Sequence, residues 1–293
     1  MDFANLSAFI AVAEAASFST AAERLYLTQP AISKRIAALE QELGTNLFDR
    51  VGRRVVLTEA GRLLLPRAQG ILNDLQDARR SLTNLAGTVS GSLSVGTSHH
   101  IGLHRLPPVL RRYVAQYPGV ELDLHFMDSE AACRAVERGE LELAIVTLPT
   151  AAVPQLELQP VWEDRLVTVV GSAHELAARK RIDLGQLAAY PAILPGRETF
   201  TRQIVDEALA PLALHVDVRL STNYLETIKM LVAVGLGWSM LPHTMVDAEL
   251  HALAVRGLQL RRQLGVVRHA RRTLSNAALA LIELLPSAAA HGG

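Results

Sequence analysis

The chain has 293 residues, 49% hydrophobic and 20% charged, with 29 basic side chains balanced by 29 acidic ones. That length exceeds what one hydrophobic core usually organises, so more than one domain is expected, and the composition excludes disorder and an end-to-end coiled coil. Zero formal net charge excludes a polycation that holds nucleic acid by bulk attraction alone.

Residues 1 to 58 carry short helical patterns separated by turn chemistry. Leu6, Phe9, Ile10 and Ala13 share one face of a first helix, which Ala15-Ala16-Ser17-Phe18 ends. A second helix opens at Ser19-Thr20, where Thr20 and Glu23 have capping-box spacing, and closes at Leu25. Thr28 caps a third helix with Pro30 in its first turn, Ile32, Ile36, Leu39 and Leu43 recur at helical spacing, and Gly44 stops it. Two short helices joined by Tyr26-Leu27-Thr28 form a helix-turn-helix pattern with the third helix as reading element. From Leu47 to Thr58 two apolar-rich strands flank a turn at Gly52, a hairpin with Arg50, Arg53 and Arg54 at or near its tip. A cationic hairpin beside a reading helix is a wing, and residues 50–67 hold five arginines against Glu59 alone.

A long helix follows, from Thr58 to about Gly87. Leu64, Ala68, Ile71, Leu75, Ala78, Leu82 and Leu85 form a seam of about three heptads, which predicts pairing with a second chain. An amphipathic helix packed on its own domain is the competing explanation for so short a seam, and Pro66 predicts a bend. Gly87-Thr-Val-Ser-Gly91 reads as a hinge.

Beyond Leu93 strands alternate with helices. Strands are predicted at 93–97, 120–126, 141–147, 161–170, 191–194, 216–220 and 238–241, and helices at 103–116, 129–138, 201–210 and 224–235. This alternation predicts parallel sheets covered on both faces, in two lobes. Ligands of such domains bind in the crevice at the strand ends, where helix N-termini offer unpaired N–H groups. The turn Thr97-Ser98-His99-His100 follows the first strand and Thr147 ends another in the same lobe, while Arg197, Thr201 and Asn223 occupy strand-to-helix turns in the second.

Cys133 is the only cysteine, so no intramolecular disulfide is possible, and its place on an amphipathic helix predicts a buried packing role. No apolar run reaches the ~18–20 residues of a membrane span and the N-terminus is a poor export signal, which predicts a cytoplasmic protein without membrane contact. No G-x-S-x-G, P-loop or HExxH motif is present, so no enzyme activity and no cofactor are expected. The His99-His100 pair has no third ligand at metal spacing, and no metal is expected.

Ser17 to Leu25, Thr28 to Ile36, Leu39-Glu40, Leu43-Gly44, Leu47 to Arg50 and Leu57 to Gly61 together resemble the N-terminal signature of LysR-type transcriptional regulators. Tyr117-Pro118, Leu141 to Ile145 and Val234 to Gly237 resemble segments of that family's effector domain, so the likeness spans nearly the whole chain. It implies an α/β protein with an N-terminal all-α winged helix-turn-helix (1–58), a long dimerisation linker helix and hinge (59–90), and an effector domain (91–293). The effector domain would have the two-lobed fold of periplasmic-binding-protein type II, with lobe I at about 91–161 and 267–293 and lobe II at about 162–266, and the resemblance implies that Thr97, Ser98, His99, His100, Thr147, Arg197, Thr201 and Asn223 line its effector cleft.

The implied function is sequence-specific transcription regulation, controlled by a small anionic metabolite in the C-terminal cleft. The implied partners are double-stranded operator or promoter DNA, a small-molecule effector, a second copy in a homodimer that builds homotetramers, and RNA polymerase. DNA contacts fall to Ser17, Ser19, Thr28, Gln29, Pro30, Ser33, Lys34, Arg35, Arg50, Arg53 and Arg54, with Gln29 suited to adenine and the arginines to a narrow minor groove. An enzyme or a solute-binding protein on the same two-lobed scaffold is the alternative.

Overall fold

The computed structural model describes residues 1–51, 54–210 and 216–286, with the backbone alone for Arg50, Val51 and Arg54. The chain divides into two compact units, Met1–Ala86 and Gly87–Gly293.

In the first unit, α1 (Phe3–Ala15) starts at Asp2, whose carboxylate accepts from the Ala4 N–H. Leu6, Phe9 and Val12 of α1 pack with Ile32, Ile36 and Leu39 of α3 (Gln29–Leu43) and with Leu47. Ile10 and Ala13, expected on the buried face, lie half-buried at its rim, and Ala8 and Ala11 are buried instead. Between these helices α2 (Phe18–Arg24) begins earlier than predicted. Its cap is Ser17 and not Thr20: the Ser17 hydroxyl accepts from the Thr20 N–H, and the Phe18 ring, 5.8 Å from Phe48, is drawn into the helix. Thr28 caps α3, and Gly44, at φ +66°, ends it with the left-handed turn that favours glycine.

The strands β1 (Phe48–Val51) and β2 (Arg54–Leu57) form the antiparallel hairpin. Glu40 Oε1 fixes its entry by accepting from the Leu47 and Phe48 N–H groups at 2.7 and 3.3 Å.

Thr58 then caps α4 (Glu59–Leu85), one helix that runs through Pro66. Its predicted seam divides. Ala68 is fully buried in this unit's own core, and Leu64, half-buried, packs beside it. Further along, Ile71, Leu82 and Leu85 are 37%, 70% and 83% exposed, Ala78 is exposed and Leu75 is half-buried.

The second unit runs β3 (Gly91–Thr97), α5 (His99–His104), α6 (Pro107–Gln116), β4 (Val120–Phe126), α7 (Ser129–Arg138), β5 (Leu143–Thr147) and β6 (Leu156–Gly171). It continues with α8 (Leu184–Ala188), β7 (Ala192–Leu194), α9 (Phe200–Leu209), β8 (Val218–Ser221), α10 (Leu225–Ala233), β9 (Ser239–Pro242), β10 (Leu250–Leu253), β11 (Leu260–His269) and α11 (Asn276–Leu284). The predicted helix over 103–116 is two helices, because Pro107 and Pro108 cannot donate the bonds that would extend α5 and instead open α6.

The main sheet has the order β10-β6-β11-β5-β3-β4, with β9 also paired to β6, and the short pair β7-β8 stands apart. It is mixed rather than parallel: β3 runs parallel to β4 and β5, whereas β6, β9, β10 and β11 pair antiparallel. The first lobe buries Leu93, Val95 and Ile145 under α6 and α11, and Ala132, Val136 and Val146 on the face that α7 covers. The second buries Val205 and Trp238 on one side, and Ile228 and Leu241 on the other.

The long strands β6 and β11 pass through both lobes. Over 163–165 the β9 and β10 ladders on β6 have ended, at Leu166 and Thr168, and on β11 the β5 ladder ends at Leu264, with one further bond from the Leu148 N–H to the Gln263 carbonyl at 2.8 Å.

Candidate functional site

In the first unit the start of α3 presents Thr28, Gln29, Pro30 and Lys34 to solvent, with Ser33 and Arg35 half-buried behind them. Gln29 and Ser33 lie one turn apart, and Gln29 Nε2 donates to Ser33 Oγ at 2.8 Å, so amide and hydroxyl form one preset pair. Ser17 is half-buried and serves as the α2 cap, while Ser19 is exposed on the first turn. Arg50 and Arg54 sit on the two hairpin strands, opposite Val55 and Val51, and Arg53 lies outside the described residues. Arg62, counted above with the cationic stretch, donates from Nη1 to the Leu57 carbonyl at 2.8 Å. Sequence reasoning passed over Tyr26, which has φ +53° and is 96% exposed in the turn before α3.

In the second unit the lobes meet across a cavity of about 50 Å³. Six of the eight residues predicted for the cleft line it: Ser98, His99, His100, Thr147, Thr201 and Asn223, together with Asp128, Ser129, Glu130, Thr199 and Arg262. Thr97 lies beneath this surface, fully buried, its hydroxyl donating to the Ile145 carbonyl at 2.8 Å. Arg197 is exposed and outside the lining. Asn223 Oδ1 holds the Gly196 N–H at 2.9 Å, and the turn leaves Arg197 at the surface while Thr199 caps α9.

Hydrogen bonds tie the lobes across the cleft. Glu130 accepts from the Phe200 N–H at the start of α9, and Asn223 Nδ2 donates to Asp128 Oδ2 at 2.8 Å. Burial pushes the Glu130 carboxyl above its ordinary value, opposed by the Phe200 N–H.

The arginine of the site is Arg262, which sequence reasoning missed. Its side chain and that of Asp164 are 4% and 2% exposed. Nε lies 2.9 Å and Nη2 2.8 Å from Asp164 Oδ2, Nη1 donates to Thr201 Oγ1 at 2.9 Å, and Arg105 stands 3.6 Å from the other carboxylate oxygen. A signal was present. Leu260, Leu264 and Val266 alternate inward along β11, and Arg262 occupies the same parity.

The adjacent histidines diverge. The His99 ring lies 5.5 Å from Phe126 and 4.8 Å from Tyr224, whereas His100 faces His104 at 4.8 Å and Glu226. Burial, reinforced by the charge of Arg262, lowers the His100 pKa to about 4, so at neutral pH it adds no charge to the cleft. Among the described residues, His100, His104 and Glu226 are a trio whose donor atoms lie within 4.8 Å of one another, a grouping that the sequence pattern did not reveal. Cys133 is buried as predicted, and desolvation drives its thiol up to about 12. No helix of the described residues is long and apolar enough to cross a membrane.

Residues 3–62 match the bacterial regulatory helix-turn-helix protein, lysR family, and residues 86–290 match the LysR substrate binding domain. The chain belongs to the LysR family of transcriptional regulators. A relative from Synechocystis, a probable RuBisCO transcriptional regulator, is 31% identical over 292 residues, covering 96% of this chain and 85% of that protein. An uncharacterized HTH-type transcriptional regulator of Azotobacter vinelandii is 71% identical over 108 residues, 37% of this chain and 75% of that one. Among solved structures, a full-length OxyR variant from Pseudomonas aeruginosa superposes with a TM-score of 0.72 at 25% identity, over 97% of this chain and 94% of the other. This LysR regulator thus joins a helix-turn-helix domain to an effector-binding domain. It is a regulator rather than an enzyme, and the enzyme and solute-binding alternatives give way.

Proposed function

We propose that this regulator reads an operator through α3 and the hairpin as a homodimer that assembles into homotetramers in the cytoplasm, and that a small metabolite in the cleft resets its contact with RNA polymerase. The observation that carries the effector reading is the set of polar side chains that both lobes direct into one small cavity. The expected anionic effector needs refinement, because Asp128 and Glu130 line the cleft beside Arg262, and Asp164 already pairs with that arginine. A hydroxylated acid suits this lining: a carboxylate or hydroxyl oxygen toward Arg262 and Thr201, and hydroxyl donors toward Asp128 and Glu130.

About 50 Å³ holds a few waters, whereas a metabolite needs several hundred. Binding therefore requires the lobes to part, breaking the Glu130–Phe200 and Asp128–Asn223 bonds and making ligand contacts in their place. A ligand that favours the parted form shifts the population toward it.

The test is selection of genomic duplex fragments by the full chain, followed by binding titrations across a salt series. Sequence-selective affinity on the order of 10⁻⁸–10⁻¹¹ M is expected at physiological salt. Equal affinity for all fragments would sink the proposal. A thermal-shift screen of hydroxy acids then identifies the effector by a raised melting temperature.

A further inference from the structure

His100 and His104 stand four residues apart on α5 and so share a helix face, their ring centroids 4.8 Å apart. Glu226, in the first turn of α10 in the other lobe, brings Oε1 to 3.0 Å from His104 Nε2 and 3.5 Å from His100 Nδ1. A hydrogen bond from His104 to Glu226 accounts for that pair but leaves His100 unexplained. The His100 side chain is 5% exposed, and neither ring nitrogen has a hydrogen-bond partner. A buried polar group without a partner is rare enough to require an explanation, and an unseen ion is a recurrent one.

The spacing suits a metal. Zinc bonds of ~2.0–2.1 Å in tetrahedral geometry set neighbouring donors about 3.3 Å apart. The His104–Glu226 and His100–Glu226 separations of 3.0 and 3.5 Å bracket that figure, and all three donor atoms lie within 4.8 Å of one another. Arg262 places positive charge near His100, but the Asp164 carboxylate, in contact with the guanidinium through Nε and Nη2, offsets it.

We propose that His100, His104 and Glu226 form a binding site for a divalent transition-metal ion of the zinc type, which fastens the first lobe to the second beside the cleft. Two imidazole nitrogens and a carboxylate select borderline ions such as Zn²⁺ or Co²⁺ over Mg²⁺ and Ca²⁺, which take all-oxygen shells. Three protein ligands leave a coordination position open. The side chains of His104 and Glu226 are 47% and 36% exposed, which gives the ion an entry path. Binding at this site needs neither DNA nor a metabolite, and because His100 also lines the cleft, a bridging ion would hold the lobes in the joined form that the proposed effector must part.

The experiment uses the full chain, stripped with a chelator and desalted, titrated calorimetrically with Zn²⁺ and followed with Co²⁺ by visible absorption. The wild type is expected to bind one ion per chain, to show the absorption of low-coordinate Co²⁺, and to melt at a higher temperature with metal. His104→Gln and Glu226→Gln should each weaken binding by at least ~10-fold, since loss of an outer-shell partner alone costs that much. Their metal-free melting temperatures should match the wild type, both positions being partly exposed. Wild-type-like Zn²⁺ affinity in both variants would place the ion on other histidines and overturn the site, as would an absence of saturable binding. X-ray absorption at the zinc edge of the wild type requires no variant, and loss of imidazole scattering from that spectrum also rejects the assignment.

Discussion

Arg262 and Asp164 stand opposite each other in the register of β11 and β6, and their buried side chains close an ion pair with Nε 2.9 Å from Oδ2. Buried charges are tolerated when paired, and removing one partner strands the other in a medium that cannot solvate it. Asp164→Asn should therefore lower the unfolding free energy of the effector unit by about 3–5 kcal/mol. Joint replacement by Leu and Met should cost far less. Urea denaturation of the three proteins decides, and equal losses in the single and double variants would contradict a charge-pairing role.

Glu130 gives a pH dependence with a fixed sign. Burial raises its folded-state carboxyl pKa and Asp128 pushes the same way, while the Phe200 N–H and Arg134 oppose. A carboxyl with a raised folded pKa contributes stability that is full below the unfolded value, about 4.3, and is lost as pH rises through the folded value. Wild type minus Glu130→Gln should therefore fall in stability from about pH 4.3 upward and level off above the raised pKa. Denaturant melts of both proteins across that range supply the slope, and a rising difference would reverse the assignment.

The Gln29–Ser33 pair and Lys34 should separate by salt dependence. Gln29→Ala removes a bidentate amide and should cost about 1–3 kcal/mol at the preferred base while leaving the salt slope unchanged. Lys34→Ala should weaken all sequences alike and reduce the slope by about 1. Titrations on cognate and scrambled duplexes at several salt concentrations separate the two outcomes.

Along α4, one substitution type should have two effects. Leu82→Glu, at a position 70% exposed, should dissociate the dimer and leave the melting temperature of the first unit intact. Ala68→Glu places a charge in a fully buried position and should unfold that unit at any oligomeric state. Sedimentation velocity beside thermal denaturation reads both, and a Leu82→Glu protein that remains dimeric would remove the lower half of α4 from the interface.

Cys133 should be inert. With its thiol driven up to about 12 by burial, almost no thiolate forms at neutral pH. Alkylation in native buffer should proceed only at the rate of unfolding and become rapid in denaturant. Fast native labelling, timed by mass spectrometry, would show an open path to the α7 face.

The helix-turn-helix was readable because its signals are local. Thr28, Pro30 and Gly44 bound α3 through groups within a few residues, and the structure keeps each role. The α4 seam was ambiguous for a physical reason: Leu64 and Ala68 have heptad spacing but sit where the helix still covers its own core. β11 was overlooked because Arg261 and Arg262 interrupt its apolar pattern, although Arg262 points inward to a carboxylate 98 residues away. The His100–His104–Glu226 trio was beyond reach for a similar reason, since 122 residues separate His104 from Glu226 and only the fold of two lobes joins them.

The strands β6 and β11 link the lobes, and the Arg262–Asp164 ion pair sits on that link, where the ladders of β9 and β10 on one side and of β5 on the other give out. The same guanidinium reaches the cleft through Thr201. Arg262 thus belongs at once to the strands that join the lobes and to the wall of the pocket, so whatever touches it in the cleft also touches the joint.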